Sequence, residues 1–146
     1  MIALSLRQPW AAAVLHVGKN IENRRWPTKF RGEFLIHAAK AMTKLEHSAA
    51  LDFCEAALWP EPSYEVDAVL AKDRLVFGAI VGRARLVEVF LPCPGAEKSP
   101  AGPWHMHEQH GFLLEDVVAF ATPIPWKGAL GFFDVPFDRE GAPDGR

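Results

Sequence analysis

Lys19, Glu22 and Arg24 lie within six residues of one another, and groups of these types at this spacing support two kinds of chemistry. In an extended segment Glu22 and Arg24 share one face and Lys19 takes the other. A lysine next to a glycine turn meets a phosphate as a point charge, and an arginine meets it with two parallel N–H donors. Glu22 would hold either cation in place or accept from a base amino group. The second chemistry is hydrolysis. Burial lowers a lysine pKa, and Lys19 with Glu22 then forms an acid–base pair. A ribonuclease built this way needs no metal, because Lys19 stabilises the pentavalent phosphate. Against both stands a plain surface ion pair between Glu22 and Arg24, contributing at most ~1 kcal/mol.

Other candidates surround this trio. Arg7 and Gln8 precede Pro9 at a predicted helix start, where backbone N–H groups favour an anion. The alternative is that Gln8 caps the helix and Arg7 is solvated. Trp26, beside Arg25, reads either as a stacking surface for a base, at ~1–3 kcal/mol per base, or as a core side chain, whereas Trp10 sits on an apolar helical stripe and is assigned to the core. Arg31 before Gly32 and Lys127 before Gly128 are loop cations. His37, on a strand, reads as a satisfied core histidine. His105, His107 and His110, with Glu108 nearby, have the types and closeness of zinc ligands. They fall in a loop rich in proline and glycine, so surface histidines are the preferred reading, and no metal or other cofactor is expected.

The elements that must position these groups follow from periodicity. Ile2–Leu6 reads as a strand, and Pro9–Val17 as a helix on the spacing of Trp10, Ala13, Val14 and Val17, closed by Gly18. Asn20–Arg24 is extended, a turn follows at Trp26-Pro27-Thr28, and a strand runs from about Glu33 to Ala38. Thr43 and Glu46 form a capping box that opens a second helix to about Leu58, with Leu45, Ala49, Phe53 and Ala57 as its buried stripe and Cys54 beside it. Trp59-Pro60-Glu61-Pro62 ends it. Asp67–Ala71 is a further helical turn. Leu75–Val89 is strand-forming, with Gly78 and Gly82 marking a bulge or the close approach of another backbone. Residues 92–111 are loop, and Phe112–Phe120 and Leu130–Val135 are the last strands, separated by a turn at Pro123–Gly128. This is an α+β domain around a small mixed or barrel-like sheet.

Composition bounds the answer. The chain has 146 residues, 49% hydrophobic and 23% charged, which excludes wholesale disorder. Its 12 prolines, more than the ~5% average, favour many turns and short strands. No apolar run reaches the roughly 18 residues of a membrane span, and the N-terminus lacks a secretory pattern. Two cysteines, Cys54 and Cys93, make no disulfide framework, which points to a reducing, cytoplasmic location. The net charge of −2 conceals an asymmetry: residues 1–47 carry eight Lys or Arg against three acids, a balance of +5, and the remainder balances at −7. A basic face on a near-neutral domain fits selective binding of an anion better than a broad electrostatic grip.

Taken together, Leu4-Ser5-Leu6-Arg7-Gln8-Pro9-Trp10, Gly18-Lys19-x-x-Glu22-Asn23-Arg24, Arg31-Gly32 and Ile36-His37-Ala38 resemble the ASCH domain (activating signal cointegrator-1 homology). Gly78-x-Ile80-Val81-Gly82 and Pro123-Ile124-Pro125-x-Lys127-Gly128 continue the likeness, which spans roughly residues 2–136. Val17 stands where the family usually has a glycine two residues before the lysine. The resemblance implies a PUA-like small β-barrel of mixed strands with two or three flanking helices, over residues 1–137, and leaves 138–146 as a flexible tail. It implies an RNA or single-stranded nucleic-acid partner in a cleft between the first helix and the barrel, with a role in RNA metabolism or in regulating transcription or translation. Arg7, Lys19, Arg24, Arg31 and Lys127 would meet phosphate, and Gln8, Glu22 and Trp26 would contact a base or order the others. A bacterial branch hydrolyses acetylated cytidine with a Lys, a Thr and a Glu. Lys19 matches that lysine, but Glu22 occupies the threonine position. A nucleoside-type ligand and hydrolysis through Lys19 and Glu22 are therefore the alternative, and a protein-interaction module is a third reading.

Overall fold

The computed structural model describes residues 1–61, 64–93 and 99–136 of the chain. Strand β1 (Ile2–Leu6) leads through the cis Gln8-Pro9 peptide into helix α1 (Trp10–His16). Pro9 offers no side-chain cap. Gln8 serves instead: its Oε1 accepts from Ala12 N–H at 3.0 Å and its Nε2 donates to the Val76 carbonyl at 2.9 Å. Gly18, at φ +81°, closes the helix and turns the chain into β2 (Ile21–Arg24). Next come β3 (Gly32–Ala38), α2 (Lys44–Leu58), α3 (Tyr64–Val69), a 3₁₀ turn at Lys72–Arg74, β4 (Ala79–Phe90), β5 (His110–Pro125) and β6 (Phe132–Asp134).

These strands form one six-stranded sheet in the order β2-β5-β4-β3-β1-β6. β1 and β3 run parallel, and the other described pairs are antiparallel. The sheet curls into a half-barrel with three helices, the small α+β barrel-like fold expected. Its inner face holds Leu4, Leu6, Phe34, Ile36, Ala84, Leu86 and Phe112, all at most 1% exposed. A second cluster joins α1, α2 and α3 through Ala13, Cys54, Val66 and Leu70.

Three local expectations are corrected. The strands are not uniformly short: β4 has 12 residues and β5 has 16, reaching through Pro125 into the segment expected to turn. Register shifts near Ile80/Gly82, Arg83/Arg85 and Leu86/Glu88 let so long a pair twist without ending it. At Gly82 the predicted close approach is real. A Cβ there would lie 2.5 Å from the Val118 carbonyl oxygen and 2.6 Å from Leu15 Cδ2.

The capping box of α2 forms as predicted, with Thr43 accepting from Glu46 N–H at 3.1 Å. Its buried face is turned, however: Ala50 and Cys54 are fully buried, Ala49 is exposed, and Leu45 is 79% exposed. Helical residues also begin earlier than expected after α2, at Tyr64 instead of Asp67. Pro62, residues 94–98 of the long loop and the tail 138–146 lie outside the described residues.

Candidate functional site

The residues singled out from sequence are mostly committed to the fold. Lys19 is 1% exposed, enclosed where α1 meets α2. Its Nζ donates to the Ile21 carbonyl and stands 5.1 Å from the centre of the Trp10 ring, which meets Phe53 of α2 edge-on at 5.6 Å. Burial holds the ammonium below the usual lysine range; Glu22 and Cys54 oppose that shift, and Arg24 adds to it. Glu22 is 6% exposed and accepts from Asn23 N–H at 3.1 Å. Among the described residues it forms no ion pair with Lys19 or Arg24 within 4 Å. Packed side chains occupy the space beside Lys19.

Arg24 donates through Nη2 to the Ser5 carbonyl at 2.6 Å and lies 5.6 Å from the Trp26 ring, and its Nε is buried without a partner. Trp26, partly buried, packs edge-on against Phe112 and Phe132 at 5.4 and 5.9 Å at the margin of the barrel core. Gln8 is spent on capping. Arg7 grips Glu46 with two bonds, 2.6 and 2.8 Å, tying the start of α1 to the first turn of α2. Arg31 donates to the Thr28 and Phe30 carbonyls and lies 3.6 Å from Glu88. Their charges are thus partly neutralised. Gln8 also lines a cleft of about 90 Å³, and Lys127 lines an open cavity.

That half-open cavity, about 840 Å³, is bordered by Ser5, His37, Lys40, Phe77, Trp126 and Lys127. The parallel register of β1 and β3 makes Ser5 and His37 direct partners. Ser5 Oγ and His37 Nδ1 are 2.9 Å apart, and His37 Nε2 is 2.7 Å from the Trp126 carbonyl oxygen. A carbonyl oxygen only accepts, so Nε2 carries the proton; in the neutral ring Nδ1 accepts from the Ser5 hydroxyl. Gly128 lies against this pair. A Cβ there would be 2.7 Å from His37 Cε1, 2.9 Å from Nδ1 and 3.2 Å from Ser5 Oγ. Lys40, just past β3, and Lys127, just past β5, are exposed and form no ion pair among the described residues.

Sequence reasoning missed Ser5, Lys40, Phe77 and Trp126. The available signal was that Ser5, Lys40 and Trp126 lie inside or beside the motifs already quoted, with His37 and Lys127.

Of the three histidines read as surface residues, His107 is exposed, His110 is half-buried with its Nδ1 enclosed and without a partner, and His105 is built into the fold. His105 is 8% exposed, its Nδ1 2.5 Å from Ser99 Oγ and its Nε2 2.6 Å from the Gln109 carbonyl oxygen. Asn23 of β2 clamps the loop by donating to the Trp104 carbonyl at 3.0 Å and accepting from Met106 N–H at 2.8 Å. No group of three or more metal-ligating side chains occurs among the described residues.

The family model of the ASCH domain matches residues 4–135, nearly the whole chain. The chain belongs to the ASCH domain family. Among curated proteins, a search finds no match. The match takes in every strand of this ASCH domain apart from the first two residues of β1, and every residue of the cavity. No helix among the described residues is long and apolar enough to cross a membrane.

Proposed function

We propose that this ASCH domain binds RNA or another single-stranded nucleic acid at the cavity between Lys40 and Lys127. The observation that carries the reading is the pairing of two exposed, unneutralised ammonium groups with a half-open cavity bordered by Phe77 and Trp126. Lysines beside a cavity attract the backbone without reading sequence, and an aromatic side chain such as Phe77 suits the stacking of a base. Family membership supports the same partner class.

Retention of single-stranded RNA oligonucleotides across a salt series tests the reading. Affinity falls as salt rises, and the slope of log affinity against log salt shrinks in Lys40→Ala/Lys127→Ala, by about 0.7 for each phosphate that is no longer neutralised. Absent or salt-independent binding overturns it.

The placing of buried Lys19 beside Glu22, with burial lowering the lysine pKa, supports a second reading, hydrolysis of an acylated nucleoside, in which the lysine acts as an acid–base group. At 1% exposure, Lys19 meets a substrate only after α1 and α2 part. Turnover of N4-acetylcytidine, abolished in Lys19→Ala with the fold intact, would establish it.

A further inference from the structure

The hydrogen bonds at the floor of the cavity run in one direction, and that direction selects a ligand. His37 Nε2–H is committed to the Trp126 carbonyl, so Nδ1 of the neutral ring draws in the Ser5 hydroxyl proton. What remains on Ser5 Oγ for a ligand is lone-pair density, so the floor presents an acceptor. Gly128 keeps a methyl group out of the space beside this pair. At the rim, Lys40 and Lys127 supply two positive charges. A volume of about 840 Å³ falls within the range of small-ligand sites, roughly 300–1,000 Å³.

We propose that the cavity is a single-nucleotide pocket, taking one nucleoside phosphate, free or at a strand end, with phosphate between Lys40 and Lys127 and a base or sugar donor on Ser5 Oγ. The pocket rests on the nucleic-acid reading above and sharpens it. Inorganic phosphate satisfies the lysines and leaves Ser5 unused; a nucleoside satisfies Ser5 and leaves the lysines unused. A nucleoside monophosphate engages both ends at once, so it binds more tightly than either fragment.

Titration calorimetry with AMP, CMP, adenosine, cytidine, inorganic phosphate and a short single-stranded RNA tests this on the intact chain. The monophosphates are expected to bind at least about tenfold more tightly than the nucleosides, a factor worth 1.4 kcal/mol. Ser5→Ala weakens them roughly 2- to 12-fold, the span of one net hydrogen bond. Lys40→Ala/Lys127→Ala costs about tenfold or more. Gly128→Ala, which pushes on the His37 ring, abolishes binding; should it fail to fold, Ser5→Ala and the lysine pair still decide the matter. RNA binding without monophosphate binding overturns the pocket and leaves the nucleic-acid reading standing. Failure of both ligands overturns both. Monophosphate binding unchanged in Ser5→Ala and in the lysine variant places the ligand elsewhere and overturns the pocket.

Discussion

Arg24 Nη2 and the Ser5 carbonyl oxygen, 2.6 Å apart, join an edge strand of the sheet to the strand next to its opposite edge. In a flat sheet these two strands would be separated by β5, β4 and β3. The bond exists because the sheet curls, and it fixes the backbone of the residue whose hydroxyl lies at the cavity floor. Arg24, read from sequence as a phosphate ligand, thus also braces the backbone beside the cavity.

Arg24→Ala should lower stability by about 1.5–3 kcal/mol, the range for a hydrogen bond to a charged group. Urea denaturation measures the loss directly. The same variant should weaken ligand binding at the cavity although Arg24 does not line it. Unchanged stability would show that the bond is not holding the sheet closed.

Lys19 makes folding sensitive to alkaline pH. Its folded pKa lies below the ordinary 10.5, so between those two values the folded chain holds fewer protons than the unfolded one. Stability therefore rises with pH across that window. Cys54 opposes it above pH 9, since burial pushes its thiol from 9.0 up to about 11 and the folded chain then holds the extra proton. On a Cys54→Ala background, stability should climb as pH approaches 10.5, and Lys19→Met should flatten that climb. Denaturation midpoints at a series of pH values check it; parallel curves would contradict it.

The legible parts of this chain were those written in local contacts. The α2 capping box depends on Thr43 and Glu46 alone, three residues apart, and both of its bonds are present. The phase of that helix was misread because an i, i+4 series such as 45, 49, 53, 57 drifts about 40° at each step. It leaves the buried face by its ends, and Leu45 ends in solvent. Lys19 reads as a cation for a phosphate because nothing near it in sequence announces that α2, some 25 residues later, closes over it. Ser5 and His37 are 32 residues apart, and a parallel pairing that no local pattern encodes brings them together.

The two cysteines should differ in reactivity. With its thiol pushed up to about 11 by burial and no exposed surface, Cys54 holds very little reactive thiolate at pH 7.5. Cys93 is partly exposed. Iodoacetamide followed by peptide mass mapping should find Cys93 modified well before Cys54. Equal rates would mean that α1 and α2 open readily, which would also favour access to Lys19.

The Arg7–Glu46 pair contributes little despite its two short bonds, because its side chains are 50% and 34% exposed. Arg7→Ala should cost no more than ~1 kcal/mol at neutral pH. The hydrogen bond from Arg7 holds the Glu46 carboxyl below its ordinary 4.5. The contribution is therefore complete above that value and is lost as pH falls through the folded pKa. Thermal melts of both proteins should converge in acid.

The pairing of Ser5 with His37 carries a consequence for how such a site changes over time. Its two halves meet because β1 and β3 are in one particular frame, with Leu4 opposite Ile36 and Leu6 opposite Ala38 on either side. Substituting one aliphatic residue for another within either strand leaves the frame untouched. Insertion or deletion of a single residue between Leu4 and Leu6, or between Ile36 and Ala38, shifts the frame and separates the hydroxyl from the imidazole in one step. The strands should thus tolerate broad drift in residue identity and almost none in length, so that loss of this site would come abruptly and not by degrees.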